Sequence, residues 1–153
     1  MDQKVDDDKT SRKNITRHVE LRDLLERFEE IGELEVVEGA DWNLELAALG
    51  ELVCARNPGR APALLFKNIK DYPENFRILS GAANSFKRLA IVLGFPEPET
   101  ELDLVQSYRD RMKTDFKLIP PEEVQTGPIM ENIDRDEDVD LYKFPIPLIH
   151  EHD

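Results

Sequence analysis

The sequence is poor in the residues that most directly signal chemistry. Its 153 residues include one cysteine, Cys54, together with three histidines and one tryptophan. A single cysteine excludes an internal disulfide and any zinc site built on several cysteines. There is no run of about 18 apolar residues, so the sequence predicts no membrane-spanning helix. Residues 1–11 are acidic and have no apolar stretch, so the sequence also predicts neither a secretory signal nor a transit peptide.

Basic residues are scarce relative to acidic ones. The chain carries 20 Lys and Arg against 33 Asp and Glu, a formal net charge of −13. Such a charge repels nucleic-acid phosphates and anionic membrane surfaces, so we expect neither partner. With 40% hydrophobic residues the chain can form a modest core. These properties together favour a cytoplasmic protein.

Four stretches carry apolar residues at the spacing of an amphipathic helix. Their apolar positions fall within residues 21–28, 46–53, 86–93 and 104–112. Gly32 and Gly94 follow the first and third stretches, where glycine readily takes the left-handed cap conformation. Asp41 or Asn43 could cap the second helix, residues 81–85 including Ser85 supply turn and cap residues before the third, and Thr100 begins an approximate capping box for the fourth. In the fourth helix we expect four side chains to point inward: Leu104, Val105, Tyr108 and Met112.

Three short segments have the residue pattern of β-strands. Residues 33–36 alternate with period two, residues 63–66 are continuously apolar, and residues 76–79 follow a loop. Helices alternating with strands predict an α/β (α+β) fold, a small mixed sheet with packed helices. We expect a disordered acidic tail over residues 1–17, this domain over 18–128, and an acidic, proline-rich linker over 129–153.

Each candidate site has an ordinary structural alternative. Asp134, Asp136 and Asp138 match the start of a calcium loop, but Val139 and Pro145 stand where that loop needs Gly and Glu. A solvated acidic linker is therefore the better interpretation. His150 and His152, with the adjacent Asp153, supply too few ligands for zinc, so we interpret the histidines as linker residues.

The remaining candidates are weaker. Cys54 lies beside an inward-facing valine and has no base that spacing can assign, so we expect a small buried side chain. His18 is interpreted as a surface residue, and Trp42 could fix the entry to the second helix. Lys87 and Arg88 could meet an anion, although solvent exposure is the simpler expectation. We therefore assign no catalytic residue, no cofactor-binding residue and no metal ligand to this chain.

An ordered series of motifs resembles a known family. The series comprises Ile119–Pro128, Glu131–Asn132, Asp138–Leu141 and Phe144–Asp153, preceded by Leu21–Glu26, Gly32–Val36, Leu44–Ala48, Ala63–Phe66 and Phe76–Leu79. It resembles the N-terminal region of UbiD-family decarboxylases, most closely the ferulic acid decarboxylase branch. The resemblance extends over about residues 20–153.

The resemblance implies a parent enzyme that reversibly and non-oxidatively decarboxylates aromatic or α,β-unsaturated carboxylic acids. It further implies prenylated FMN, Mn²⁺ and K⁺ as cofactors of that parent, with flavin-binding and C-terminal domains as partners and a homo-oligomeric assembly. The family's catalytic, metal and phosphate-binding residues come later in its sequence and match no position here. We therefore expect this chain alone to be structural, inactive and free of cofactor, with the chemistry encoded beyond residue 153.

Two alternatives belong to other classes of function. The chain could be a free-standing acidic interaction module whose Pro-x-Pro tail docks on a partner, since extended proline-rich segments are recognised in this way. A self-sufficient enzyme built from Cys54, His150 and His152 would lack an acid–base arrangement that spacing can define.

Overall fold

The computed structural model describes residues 20–114 and 120–152. The predicted tail over residues 1–17, His18 and Asp153 lie outside these ranges. In chain order the helices and strands are α1 (Leu21–Glu30), β1 (Leu34–Glu38), α2 (Glu45–Arg56), β2 (Ala63–Lys67), β3 (Ile78–Ser80), α3 (Phe86–Leu93) and α4 (Glu101–Met112). Three 3₁₀ turns follow, Pro128–Met130, Asp136–Asp138 and Leu141–Lys143. Among the described residues, no helix is long and apolar enough to cross a bilayer.

The sheet is mixed, with the strand order β1-β2-β3. β1 pairs in parallel with β2, with Leu34 opposite Ala63, and β2 pairs antiparallel with β3, with Leu65 opposite Leu79. A parallel pair needs a crossover connection, and α2 provides it. The predicted α/β class is confirmed, although β1 and β3 each extend one or two residues beyond their predicted ends.

The central strand β2 carries the core. Leu64 and Phe66 join Leu46 of α2 in a buried cluster on one face of the sheet. Side chains alternate along a strand, so Leu65 lies on the opposite face, where it lines a groove with Leu25 of α1. The sheet is therefore covered by helices on both faces.

Several predicted helix ends are confirmed. The Ser85 side chain accepts the Arg88 amide at the start of α3, and Gly94 ends that helix at φ 67°. At α4, the Asp103 amide donates to the Thr100 hydroxyl over 3.3 Å, and the Thr100 amide donates to the Asp103 carboxylate over 2.8 Å. The inward placement predicted for α4 holds only for Leu104, which is 7% exposed. Val105, Tyr108 and Met112 are about half exposed, because the nearest described helix, α3, covers a single side of α4.

The predicted cap of α2 is wrong. The N-cap residue is Leu44, at φ 66°, and no side chain caps the helix there. The Asp41 carboxylate instead accepts the Asn43 amide over 2.9 Å and binds the Lys70 amine over 2.5 Å. Trp42 packs against the core cluster, as expected for a residue that fixes the helix entry.

We expect the Asp41–Lys70 pair to make stability depend on pH. The Lys70 hydrogen bond lowers the pKa of Asp41, and the same bond raises the pKa of Lys70. A lowered carboxyl pKa contributes stability above about pH 4, which is lost as pH falls through the folded-state pKa. We expect Asp41→Asn to lower the melting temperature at pH 7, and the difference from wild type to disappear at pH values below the folded-state pKa of Asp41. The asparagine keeps the acceptor for the Asn43 amide, so the change isolates the charge.

Thermal unfolding followed at pH 7 and at acidic pH checks this expectation. Glu99→Gln, at an exposed position in the α3–α4 loop, removes one negative charge elsewhere and is the matched control. An equal decrease in melting temperature for Asp41→Asn at both pH values would contradict the assigned ion pair.

Candidate functional site

A buried guanidinium joins the three strands to α3. The Arg88 side chain is 0% exposed, and its two terminal nitrogens donate to the Glu33 carboxylate over 2.7 Å and to the carbonyls of Ala61 and Gly81 over 2.6 and 3.0 Å. Ser85 donates its hydroxyl to the same Glu33 oxygen over 2.5 Å. These contacts connect residues at the starts of β1 and β2, the end of β3 and the start of α3. Arg88 is therefore a structural cross-link.

The electrostatics of this cluster follow from its burial. Desolvation lowers the pKa of Arg88, and the Glu33 carboxylate opposes that shift. The guanidinium carbon also lies 5.9 Å from the centre of the Phe28 ring. Both terminal nitrogens are engaged by protein acceptors, and Nε, which finds no hydrogen-bond partner among the described residues, is buried, so the side chain is not accessible to a substrate anion. The predicted solvent exposure of Arg88 is thus wrong, while Lys87 forms a 3.2 Å surface pair with Glu97.

A second feature is an apolar cleft between α2, β3 and the C-terminal segment, which we call the α2–β3 cleft. Its volume is about 390 Å³. It is lined by Leu46, Ala47, Gly50, Glu51, Cys54, Phe66, Ile78, Leu79, Ser80, Pro147 and Ile149. The lining is mostly apolar, so the cleft suits hydrocarbon contact better than recognition of a charged group.

Cys54 lies on the wall of this cleft and is half-buried, less so than predicted. Its sulfur accepts a hydrogen bond from the Asn84 side-chain amide over 3.2 Å. The lining offers only Glu51 and Ser80 as further polar side chains, and neither is paired with the thiol in a described hydrogen bond. The arrangement gives no nucleophile–base pair of the kind that covalent catalysis needs.

The C-terminal segment lies against the domain, where the sequence predicted only a linker over residues 129–153. The Leu148 amide donates to the Trp42 carbonyl over 3.0 Å, and the Leu148 carbonyl accepts the Leu44 amide over 3.1 Å. Phe144 packs edge-on against Phe76 with 6.0 Å between ring centres. The Leu148 bond accounts for the positive φ of Leu44, a conformation that is costly for a branched residue unless its surroundings hold it.

The other candidate metal ligands are the two histidines of the C-terminal segment and the acidic stretch before it. His150 and His152 are exposed, beyond the docked part of this segment. The Lys143 amine contacts the Asp134 carboxylate over 2.8 Å and the Asp138 carbonyl over 3.1 Å, so a lysine stands within the acidic stretch. In the described ranges, no three His, Cys, Asp or Glu side chains are grouped as a metal site would require.

Sequence reasoning identified the proline-rich character of the C-terminal segment but predicted neither its docking on this domain nor the buried cluster. Ser85 was recognisable as a cap, yet its neighbour Arg88 and the distant Glu33 carry no local signal that pairs them. Only the fold brings these side chains together.

Comparison with known proteins gives the family. The model described as the 3-octaprenyl-4-hydroxybenzoate carboxy-lyase N-terminal domain, UbiD_N, matches residues 25–108. A pyrrole-2-carboxylic acid decarboxylase of Pseudomonas aeruginosa is 35% identical over 143 residues, and ferulic acid decarboxylase 1 of Candida dubliniensis is 31% identical over 150 residues. Each of these alignments covers 88% of this chain and 28% of the relative, so the chain spans little more than a quarter of their length.

Solved structures agree with the sequence matches. A vanillic acid decarboxylase of Sedimentibacter hydroxybenzoicus superposes with a TM-score of 0.67 in its open form, at 28% identity, and 0.72 in its closed form, at 25% identity. Both alignments cover 88% of this chain, and they cover 29% and 28% of the respective neighbour chains. The predicted resemblance is confirmed: this chain belongs to the UbiD N-terminal domain family.

Proposed function

We propose that this chain is the N-terminal domain of a UbiD-type carboxy-lyase that reversibly and non-oxidatively decarboxylates aromatic, heteroaromatic or α,β-unsaturated carboxylic acids. The observation that carries the proposal is the family match over residues 25–108. The two curated relatives are named as decarboxylases of pyrrole-2-carboxylic and ferulic acid, and the structural neighbour as one of vanillic acid. All three names describe ring-bearing carboxylic acids, which supports the substrate class.

The α2–β3 cleft does not fit a flavin cofactor. A flavin mononucleotide needs a site for its phosphate, yet the α2–β3 cleft presents no Lys, Arg or His in its lining. Among the described residues the one buried cation is Arg88, which is already bound to Glu33 and two carbonyls. We therefore place the prenylated FMN, with Mn²⁺ and K⁺, in the flavin-binding and C-terminal domains expected of the complete enzyme.

The role of this domain is then architectural. The Arg88 cluster fixes the sheet against α3, and the Leu148 bridge fixes where the chain leaves the domain. The alternative of a free interaction module with a peptide-like tail loses support, because Leu148 of that tail is hydrogen-bonded to the domain itself. A homo-oligomeric, cytoplasmic parent enzyme is part of the same proposal.

The proposal is tested by comparing the turnover of the 153-residue chain with that of the complete protein. The 153-residue chain and the complete protein are each produced with a supply of prenylated flavin, and CO₂ release is measured from pyrrole-2-carboxylate, ferulate and vanillate. We expect the complete protein to absorb visible light and to release CO₂ from at least one ring-bearing acid. We expect the chain alone to show neither property.

Two results would contradict the proposal. Turnover by the 153-residue chain alone would place the chemistry in this domain. A complete protein that contains no flavin after production with the cofactor supply, and releases no CO₂ from any of the three acids, would remove the enzymatic assignment.

A further inference from the structure

One segment exposes large apolar side chains at unusual density. We call residues 128–144 the strap. Ile129 and Tyr142 are each 88% exposed, and Leu141 is 68% exposed. Four more apolar side chains in the strap are about half exposed: Met130, Ile133, Val139 and Phe144. Single exposed apolar residues are ordinary on a protein surface, whereas a concentration of them marks an interaction site.

Hydrogen bonds hold the strap in a defined shape. The Lys143 amine closes residues 134–143 into a loop through the Asp134 carboxylate and the Asp138 carbonyl. The Tyr142 amide donates to the Asp140 carboxylate over 2.9 Å, and the Met130 amide donates to the Gly127 carbonyl over 2.8 Å. A segment shaped before binding loses less conformational entropy when it docks.

Charge decides which partner fits. Six acidic residues lie among the apolar ones: Glu131, Asp134, Asp136, Glu137, Asp138 and Asp140. The basic residues there are Arg135 and Lys143, and Lys143 is paired with Asp134. A second copy of this chain, with its net charge of −13, would bring like charge to this surface. The covering surface should instead combine apolar recesses with Lys and Arg around them.

The relatives indicate where that surface belongs. This chain spans 28% of their length, so most of such a protein lies outside the part described here. The strap directly precedes the docked segment around Leu148. We propose that the strap is the surface by which this domain binds the remaining part of the decarboxylase, with Ile129 and Tyr142 as its main anchors. This inference rests on the proposed function.

Hydroxyl-radical footprinting measures the exposure of individual side chains and tests the inference. The 153-residue chain and the complete protein are oxidised in parallel, and the modification rates of Tyr142 and Met130 are compared. We expect about a tenfold lower rate for Tyr142 in the complete protein, since the core of an interface is fully buried. In the complete protein, the double variant Ile129→Gln/Tyr142→Gln should raise the oxidation rate of Met130 to the rate measured in the 153-residue chain.

A matched control uses apolar residues on other surfaces. Leu52 and Val92 are 46% and 44% exposed on α2 and α3. In the complete protein, the double variant Leu52→Gln/Val92→Gln should leave the protection of Tyr142 and Met130 unchanged. Circular dichroism of each variant in the 153-residue chain establishes that the domain still folds.

The outcomes separate the inference from the proposed function. Equal oxidation of Tyr142 in the two proteins, with CO₂ release intact, would overturn the strap inference and leave the function standing. Protection of Tyr142 without decarboxylation of any acid would uphold the docking surface and count against the function. If Tyr142 is protected in the 153-residue chain alone, and the protection grows with the concentration of that chain, the chain self-associates and the inference is overturned.

Discussion

Replacing Arg88 with methionine should lower the free energy of unfolding of this domain by about 3–5 kcal/mol, because the part-buried Glu33 carboxylate and two backbone carbonyls lose the partner that they share. The Glu33 carboxylate would lose its cation, and the carbonyls of Ala61 and Gly81 would lose their donors. Methionine fills part of the space but donates no hydrogen bond. A domain of this size is stable by only about 5–15 kcal/mol, so the loss would be a large share of the total.

Chemical unfolding followed by circular dichroism measures this effect. Arg109→Met is the matched control on the exposed side of α4, and we expect it to change stability by no more than about 0.5 kcal/mol. In an Arg88→Met background, Glu33→Gln should cost less than it does alone, because no buried cation remains to be unpaired. A decrease of less than about 1 kcal/mol for Arg88→Met would show that the cluster contributes little to stability.

Truncation of Phe66 to alanine should destabilise the domain by about 3–5 kcal/mol. The ring is 1% exposed and packs in the cluster of Leu46 and Leu64, so alanine would leave a void beside the central strand. The same ring lines the α2–β3 cleft, so the cleft should enlarge. Phe66→Leu keeps most of the volume and should cost about 1.5 kcal/mol or less.

The fluorescence of Trp42, the sole tryptophan, reports on this core directly because its side chain packs against the cluster. Urea unfolding of Phe66→Ala can therefore be followed at the site that changes. Tyr142→Ala is the matched aromatic control, since that ring is 88% exposed and its loss should change stability by no more than about 0.5 kcal/mol. Equal effects of the two truncations would contradict the assigned core.

Local signals predicted the helices and strands well where the determining contacts are also local. Ser85 and Gly94 bound α3, and Thr100 with Asp103 starts α4, because caps act within one turn. The start of α2 was mispredicted because the contact that determines it is not local. Leu44 takes its conformation through a bond to Leu148, a partner that no window around the helix contains.

The candidate sites can also be divided into features that depend on neighbouring residues in the sequence and features that only the fold brings together. The failed calcium spacing and the sparse ligands around His150 are arguments from the sequence alone, because both depend on residues close together in the chain. The Arg88 cluster could not be predicted, since it joins side chains from separate elements through the sheet. Val105 and Met112 were predicted to point inward but are about half exposed. The apolar periodicity identifies one face of a helix, and it does not identify which element covers that face.

The bridge between Asn43 and Leu148 also has a consequence for biosynthesis. It joins residues that are far apart in the sequence, and contacts of such long range can form only after the intervening chain has been synthesised. Helix α2 can therefore be made early, yet its entry gains its last partner only when Leu148 leaves the ribosome. The entry of α2 is therefore among the last parts of this domain that can reach their final contacts during synthesis.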